Sequence, residues 1–190
     1  MRIRRGNLED LDLIYALERE SFPEEAWPRY VFEDDMRRSQ SIYLIAEEND
    51  DEVVDKVVDE DQTVAMAVVE KVEEKRAIEI WGNGKKSKPL GYISCGMLPD
   101  QAYAHITSLA VARDQRRKGV ATKLLESLLD LTAERGVLTW RAETRQSNQA
   151  SLALFQAKGF MKLAILESFY ESPPEDAVLL IKTRSTIKRA

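Results

Sequence analysis

Residues 105–125 read HITSLAVARDQRRKGVATKLL, and this run contains the end of one element, a basic turn and the start of another. The residues before the turn, Ala102 to Val111, have the apolar and β-branched content that predicts a strand. Gly119 to Arg135 carry apolar residues at helical spacing, which predicts an amphipathic helix. This order places free main-chain amides at the helix start, where they can bind an anion.

The turn has the composition of a phosphate-binding loop. A side chain at Gly119 would hold a pyrophosphate away from the helix amides, and Ala121 keeps the next turn small. Arg116, Arg117 and Lys118 add positive charge that attracts a multiply charged ligand. The same residues are also compatible with an ordinary basic turn that contains a glycine.

Two other phosphate loops are excluded. The dinucleotide fingerprint needs three glycines, and this turn has only Gly119. The nucleoside triphosphate loop needs a glycine five residues before Gly84, where the chain has Glu79. The pattern that remains is Arg or Gln, two residues, Gly, one residue, then Gly or Ala, and Arg116 to Ala121 match it.

The rest of the chain alternates between helical and strand patterns without an internal repeat. Helices are predicted from Asn7 to about Ser21, over Pro28 to Arg38, and from Asn148 to Lys158 with Gly159 in the C′ position. Strands are predicted around Ile3 and at Ser41 to Glu47, Leu90 to Met97, Val137 to Glu143, Leu163 to Tyr170 and Ala177 to Thr183. This order predicts a mixed α/β fold in a single domain over residues 1–190.

An acidic insertion at about 48–88 interrupts this order. Nine of the fifteen residues from 47 to 61 are Asp or Glu, and no helical or strand period survives there, which predicts a solvated loop. Thr63 to Val72 and Ala77 to Trp81 read as strands and Gly82 to Lys86 as a turn. The insertion is therefore predicted to end in a hairpin.

The composition, with 44% hydrophobic and 32% charged residues, is that of a soluble globular protein. No apolar run is long enough to span a membrane and the N-terminus lacks the apolar core of a secretory leader, so we expect a cytoplasmic protein. Cys95 and His105 are the only residues of their kinds, which excludes an internal disulfide and a Cys/His zinc site. The net charge of -5 argues against general nucleic-acid affinity.

Further motifs surround the basic turn in a fixed order. Ser108 to Val111 precede it, and Glu143-Thr144-Arg145-Gln146-Ser147-Asn148, Leu154-Phe155 and Lys158-Gly159-Phe160 follow it. Together with the turn, these motifs resemble the GNAT family of N-acetyltransferases, chiefly over residues 90–183. Within that family they are similar to the protein N-terminal acetyltransferases of the bacterial ribosomal-protein type and their archaeal relatives.

The resemblance implies a fold, a cofactor and a reaction. The fold would be a mostly antiparallel central sheet that is splayed at strands 4 and 5 and flanked by helices. Acetyl-CoA would bind at that opening, and its acetyl group would pass directly to a primary amine without a covalent enzyme intermediate. The acceptor would be the N-terminal α-amine of a protein or, as the alternative, a small-molecule amine such as a polyamine; neither nucleic acid nor membrane is implied as a partner.

The resemblance also assigns cofactor-binding residues. Backbone groups of the strand before the turn would pair with the pantetheine arm, namely those of Leu109, Ala110 and Val111. The pyrophosphate would lie on the turn and the first turn of the helix, at Arg116, Arg117, Lys118, Gly119, Val120, Ala121 and Thr122. Asn148 would contact the same arm, although its side chain would equally serve as a plain helix cap.

Transfer to an amine needs an unprotonated nitrogen, a stabilised oxyanion and a proton for the leaving thiolate. Glu143 matches the family's proposed general base, acting directly or through water; its alternative role is an ion pair with Arg141 or Arg145. His105 matches a histidine of the archaeal relatives and would be catalytic or position a water, unless it is an ordinary strand residue. Strand alternation places His105 on the face of Thr107, Leu109 and Val111.

The proton donor is where the chain departs from the family. Related enzymes commonly carry a tyrosine at the position of Phe155, which would still border the cofactor but has no proton to give. The thiolate would then leave through water or through another hydroxyl such as that of Tyr170. A weakly catalytic acyl-CoA sensor is the alternative from another functional class. Cys95 is expected to be a buried apolar residue rather than an acyl carrier.

Two segments are expected to border the acceptor. The first is the loop around Phe22 and Glu24, and Glu24 would bind the ammonium or select the first residue unless it is only a solvated charge. The second carries Phe169 and Tyr170, where the family often has two tyrosines, so one hydroxyl is missing here; Tyr170 would otherwise be a half-buried strand aromatic. An open cleft between these segments would indicate a peptide acceptor, and a closed one a small amine.

Overall fold

The computed structural model describes residues 1–48 and 89–184. The strands and turn predicted within the acidic insertion lie outside these residues. No helix in the described ranges has the length and apolar character needed to cross a membrane.

The described residues form one seven-stranded sheet with four α-helices around it. In space the strands follow the order β1-β2-β3-β4-β5-β7-β6, and every neighbouring pair is antiparallel except β4 and β5. The strands are β1 Arg2–Arg5, β2 Ser41–Glu47, β3 Pro89–Leu98, β4 Tyr103–Val111, β5 Thr139–Arg145, β6 Met161–Glu171 and β7 Pro174–Thr183. The helices are α1 Leu11–Ser21, α2 Arg29–Met36, α3 Val120–Glu134 and α4 Gln149–Ala157. This mixed sheet confirms the predicted fold class.

The two parallel strands separate partway along their length. β4 and β5 pair only over four positions, from Tyr103 with Thr139 to Ile106 with Ala142. Beyond Ile106 and Ala142 the two strands no longer pair with each other, although β4 continues to Val111 and β5 to Arg145. The sheet is therefore splayed between its fourth and fifth strands, as the family resemblance implied.

The sheet separates two apolar cores. Helices α1 and α2 cover one face, where Ile14 and Phe32 are fully buried. Helices α3 and α4 cover the other face, where Leu124 and Trp140 are buried. Each such side chain contributes roughly 1.5–3 kcal/mol through its burial, so the two layers hold the sheet firmly on either side of the opening.

A β-bulge interrupts β4 beside the opening. Cys95 of β3 pairs with Ile106, but the preceding residue, Ser94, pairs with Ser108. Thr107 is therefore an extra residue in β4, and its hydroxyl lies 2.8 Å from that of Ser94. An extra residue of this kind reverses the in-and-out alternation of everything that follows it.

The bulge corrects one prediction about His105. Ile106 packs in the core covered by α3 and α4 (the α3 core), and so do Leu109 and Val111 beyond the bulge. Ala110 packs in the core covered by α1 and α2 (the α1 core). His105 therefore points to the α1 face, opposite to Leu109 and Val111. The prediction that His105 shares a face with those two residues is wrong, because simple alternation cannot anticipate a bulge.

The predicted strand at Val137 to Glu143 begins and ends two residues later, at Thr139 and Arg145. Gly136 has a φ of +88° and closes the C-terminal end of α3, where the amide of Val137 donates to the carbonyl of Thr132 at 3.1 Å. Val137 thus belongs to the helix-closing turn. Because β5 continues to Arg145, Glu143 lies two residues before the end of the strand rather than at its end.

Candidate active site

The basic turn leads into α3 through two left-handed residues. Arg117 has a φ of +65° and Gly119, the N-cap of α3, a φ of +82°. The first main-chain bond of the helix runs from the amide of Lys123 to the carbonyl of Gly119 at 3.0 Å. No side chain in the described ranges caps this end, so the amides of residues 120–122 point out of the helix without an intrahelical acceptor.

The space around Gly119 is open, as a phosphate site requires. A Cβ added at this position would meet no heavy atom within 4 Å, so the volume next to the amides is open to a ligand. Arg116, Arg117 and Lys118 are exposed around it. The first turn of α3 contains no acidic residue, so nothing in the helix cancels its positive end. These features fit the pyrophosphate of a CoA thioester.

The opening of the sheet lies beside this turn. α3 follows the carboxyl end of β4 and α4 follows the carboxyl end of β5, so both helix starts stand at the edge where these parallel strands diverge. Leu109 to Val111 present their unpaired edge there. Asn148 caps α4 by accepting from the amide of Ser151 at 3.0 Å, which confirms the predicted cap and leaves its side-chain NH₂ free of that bond.

A histidine and a carboxylate meet at the point where β4 and β5 separate. His105 Nε2 lies 2.5 Å from Glu143 Oε2, and the other carboxylate oxygen accepts from Arg141 Nε. Glu143 comes one residue after Ala142, the last residue of β5 that pairs with β4. Its side chain is only 7% exposed, whereas that of His105 is 41% exposed. The buried carboxylate therefore holds the histidine through one hydrogen bond, and the histidine is the more accessible member of the pair.

The charge of Glu143 follows from these neighbours. Burial acts most strongly on its pKa and would raise it, but the hydrogen bonds and charges of His105 and Arg141 together outweigh burial, and the pKa is lowered. Glu143 is thus an ionised carboxylate at neutral pH and can only accept hydrogen bonds. His105 Nε2 therefore donates to Glu143, and in the neutral form of the histidine this nitrogen carries the single ring proton. In that form Nδ1, which has no hydrogen bond among the described residues, can accept a proton.

The predicted acceptor residues differ in their exposure. Phe22 packs against the α1 core, while Glu24 is exposed. Phe169 is 47% exposed and makes an edge contact with Tyr170, with ring centroids 5.1 Å apart. The next residue of the loop, Glu25, forms an ion pair with Arg145 at the end of β5.

Neither Phe155 nor Tyr170 can readily supply a proton to a thiolate. Phe155 is 3% exposed on α4 and packs edge-on against Phe160, with ring centroids 4.9 Å apart. Burial, with a further contribution from Glu25, raises the pKa of Tyr170 to about 12. An ordinary thiol has a pKa near 8.5, so proton transfer from Tyr170 to a thiolate is strongly uphill. Water is a still weaker acid, so the pKa of Tyr170 does not decide between the two predicted routes.

Cys95 has no part in this chemistry. Its side chain is fully buried in the α3 core, and burial raises the pKa of its thiol to about 12. Since the thiolate is the nucleophilic form, this residue is a packing element rather than an acyl carrier.

A buried carboxylate ties α1 to the bulge in β4. Glu18 is 4% exposed, accepts from the hydroxyl of Tyr92, and accepts from Ser108 Oγ at 2.9 Å. It also accepts from the main-chain amide of Trp27 in the loop after α1. Burial is the largest influence on its pKa and raises it, although these hydrogen bonds act in the opposite direction. Sequence periodicity placed this residue on a helix but gave no sign of the network.

We expect Glu18→Gln to become progressively more stabilising, relative to the parent, as pH rises from about 4.5. A carboxyl whose folded pKa is raised contributes stability that is present below its unfolded pKa and lost as pH rises through the folded pKa. The amide keeps an acceptor for Tyr92 but cannot ionise. Thermal unfolding at pH 4.5 and pH 7 measures the change.

Glu126→Gln serves as the control of opposite sign. The hydrogen bond from Lys158 is the main reason that the pKa of Glu126 is lowered, so the melting temperature of this variant should fall relative to the parent as pH rises to about 4.5 and should gain nothing above that pH. A melting-temperature difference for Glu18→Gln that stays flat or falls with pH would contradict the assignment.

Comparison with known proteins gives one consistent result. A model of the acetyltransferase (GNAT) family matches residues 11–160. The N-alpha-acetyltransferase of Saccharolobus solfataricus is 26% identical over 185 residues, covering 95% of this chain and 91% of the relative. The bS18-alanine N-acetyltransferase of Escherichia coli K12 is 37% identical over 79 residues, covering 40% of this chain and 53% of that enzyme.

The fold is shared over nearly the full length. The crystal structure of the ribosomal-protein-S18-alanine N-acetyltransferase from Escherichia coli superposes with a TM-score of 0.72 at 21% identity. The match covers 99% of this chain and 96% of that structure. The splayed sheet and its flanking helices therefore have a direct counterpart among solved structures.

Proposed function

Because the chain belongs to the GNAT family of acetyltransferases, we propose that it transfers the acetyl group of acetyl-CoA to the N-terminal α-amine of a protein. The observation that carries this proposal is that the His105–Glu143 pair lies where β4 and β5 separate, while the free amides that begin α3 follow the carboxyl end of the same strand β4. A donor of acetyl groups and a proton acceptor would meet at that point.

The donor side rests on the residues around Gly119. The pyrophosphate of acetyl-CoA would be held by the amides of residues 120–122 and by the surrounding cations, while the unpaired edge at Leu109 to Val111 would bind the pantetheine arm. Bound in this way, acetyl-CoA supplies an activated thioester. The protein's own task is then to orient the amine and remove its proton.

His105 is the residue that would take this proton. An α-amine has a pKa near 7.7–8.0, so roughly a tenth to a fifth of it is already neutral at pH 7 and a modest base suffices. Nδ1 of His105 would accept the proton as the nitrogen attacks, directly or through one water. Glu143 would hold the ring by its Nε2 proton and stabilise the positive charge that develops on it. This assigns Glu143 a supporting role beside the base rather than the role of the base itself.

The acceptor class is inferred from the two segments that border this pair. The loop between α1 and α2 and the turn between β6 and β7 both contact Arg145 at the end of β5, two residues after Glu143. The N-alpha-acetyltransferase relative is similar over 95% of this chain, including both segments. A protein N-terminus is therefore favoured over a small free amine.

We expect the protein, given acetyl-CoA and a library of short peptides, to acetylate α-amines and to leave lysine side chains unmodified. An α-amine is substantially neutral near pH 7–8, whereas a lysine side chain with a pKa near 10.4 is not. Mass spectrometry with fragment assignment locates the added acetyl group. Matched peptides with a blocked N-terminus and a free lysine serve as controls, as do polyamines. Acetylation confined to small free amines would refute the peptide proposal.

A further inference from the structure

Arg145, the last residue of β5, engages all three nitrogens of its guanidinium. Nε donates to Glu25 Oε2 at 3.2 Å, and Nη2 lies 2.5 Å from Glu25 Oε1. Nη1 donates to Glu175 Oε2 at 2.9 Å and to the carbonyl of Pro173 at 3.0 Å. Nη2 also donates to the carbonyl of Ser172 at 3.0 Å. A fork with four hydrogen bonds and a close ion pair is fixed in position and orientation.

The partners of Arg145 belong to three different segments. Glu25 lies in the α1–α2 loop (residues 22–28), Ser172 and Pro173 form the β6–β7 turn, and Glu175 lies on β7. Glu175 in turn accepts from the amide of Ser147 at 2.6 Å, one residue before the cap of α4. One side chain thus links the two segments that border the acceptor to the strand that carries Glu143.

These contacts differ from ordinary surface ion pairs. The side chains of Arg145, Glu25 and Glu175 are only 18%, 25% and 22% exposed. The guanidinium also stacks on Tyr170, with its central carbon 4.3 Å from the ring centroid. An exposed pair contributes little because water competes for it, but a half-buried, bidentate and stacked guanidinium holds its partners in one geometry.

We propose that Arg145 is a positioning residue that fixes the distance between the α1–α2 loop and the β6–β7 turn, and so sets the width of the acceptor groove. The proposal rests on the proposed function, because the groove matters only if an amine is bound there. Arg145 contacts neither reacting atom. It acts by holding Glu25 and the two carbonyls, so its removal should weaken binding of the acceptor and relax selectivity for the first residue while leaving the donor site intact.

Arg145→Lys tests the proposal, because lysine keeps the charge but cannot reach five acceptors in one plane. We expect the KM for a good peptide to rise about tenfold or more, in line with the loss of charge-assisted hydrogen bonds, with little change in kcat or in the affinity for acetyl-CoA. Hydrogen–deuterium exchange should increase in both segments, at residues 22–27 of the α1–α2 loop and at the residues that flank the β6–β7 turn. Glu25→Gln, a milder change, should increase exchange in 22–27 alone and raise the KM less.

Glu33→Gln is the matched control. Glu33 pairs with Arg29 and Arg37 on the surface of α2, outside both segments, and its loss should change neither the KM nor the exchange of the two segments. Unchanged exchange in both segments of Arg145→Lys would overturn the proposal, as would an equal loss of acetyl-CoA affinity, which indicates general structural damage. If the parent acetylates no peptide, the proposed function fails, while the exchange experiment still decides whether Arg145 holds the two segments together.

Discussion

Gly119→Glu should reduce the affinity for acetyl-CoA by about a hundredfold or more, equivalent to roughly 2.7 kcal/mol. Two effects act in the same direction. A φ of +82° is strained for any residue with a side chain, so the turn would shift the amides of residues 120–122 away from their present directions. The new carboxylate would also occupy the open volume above those amides, where it competes for the positive end of α3 and repels a pyrophosphate.

Gly136→Glu separates these effects from backbone strain alone. Gly136 has a φ of +88°, is equally free of neighbours within 4 Å, and lies at the opposite end of α3. Both variants should therefore lose comparable stability from strain, about 1–2 kcal/mol each, but only Gly119→Glu should lose acetyl-CoA. Isothermal titration with acetyl-CoA and thermal unfolding of both proteins give the two quantities. Tight binding by Gly119→Glu would exclude the start of α3 as the phosphate site.

The elements next to this glycine could be predicted from sequence because their signals are local. The strand before the basic turn, the turn and α3 differ sharply in composition and period over residues 102–135. Asn148 and Gly159 likewise mark the two ends of α4 by their own conformational preferences. Each of these features depends on contacts within a few residues, so a single sequence contains the information.

The organisation of the acceptor side depends on contacts that are distant in sequence. Glu25 and Arg145 are separated by 120 residues, and Glu18 and Ser108 by 90. Nothing in the loop composition distinguishes Glu25, which reaches the guanidinium, from its exposed neighbour Glu24. The bulge at Thr107 is similarly invisible in the sequence, because it arises from the register between two strands.

The motif that contains Glu143 shows the limit of motif reasoning. The motif correctly brought Glu143 to the opening, and the predicted ion pair with Arg141 is also present. The motif could not show that both carboxylate oxygens are engaged, one by Arg141 and the other by His105. Only this geometry suggests that the histidine, and not the carboxylate, meets the amine.

Replacing Glu143 with glutamine should lower kcat for a peptide by about a hundredfold to ten-thousandfold, the range typical for loss of general base catalysis. The amide has the shape of the carboxylate and can still accept the Nε2 proton of His105, but it cannot stabilise the positive charge that forms when Nδ1 takes a proton. Arg141 loses its charged partner, but it is 39% exposed and can be solvated instead. The affinity for acetyl-CoA should stay unchanged, because Glu143 lies outside the phosphate site.

A double-variant experiment distinguishes a working pair from two separate contributions. If His105 and Glu143 act as a unit, His105→Asn should lower kcat about as much as Glu143→Gln, and the combination should cost little more than the more severe single change. Additive losses would mean that each residue acts alone, with Glu143 serving as a base by another route. Glu33→Gln should retain the parent rate, and a rate for Glu143→Gln within about threefold of the parent would remove the pair from the mechanism, since a proton acceptor contributes far more than that.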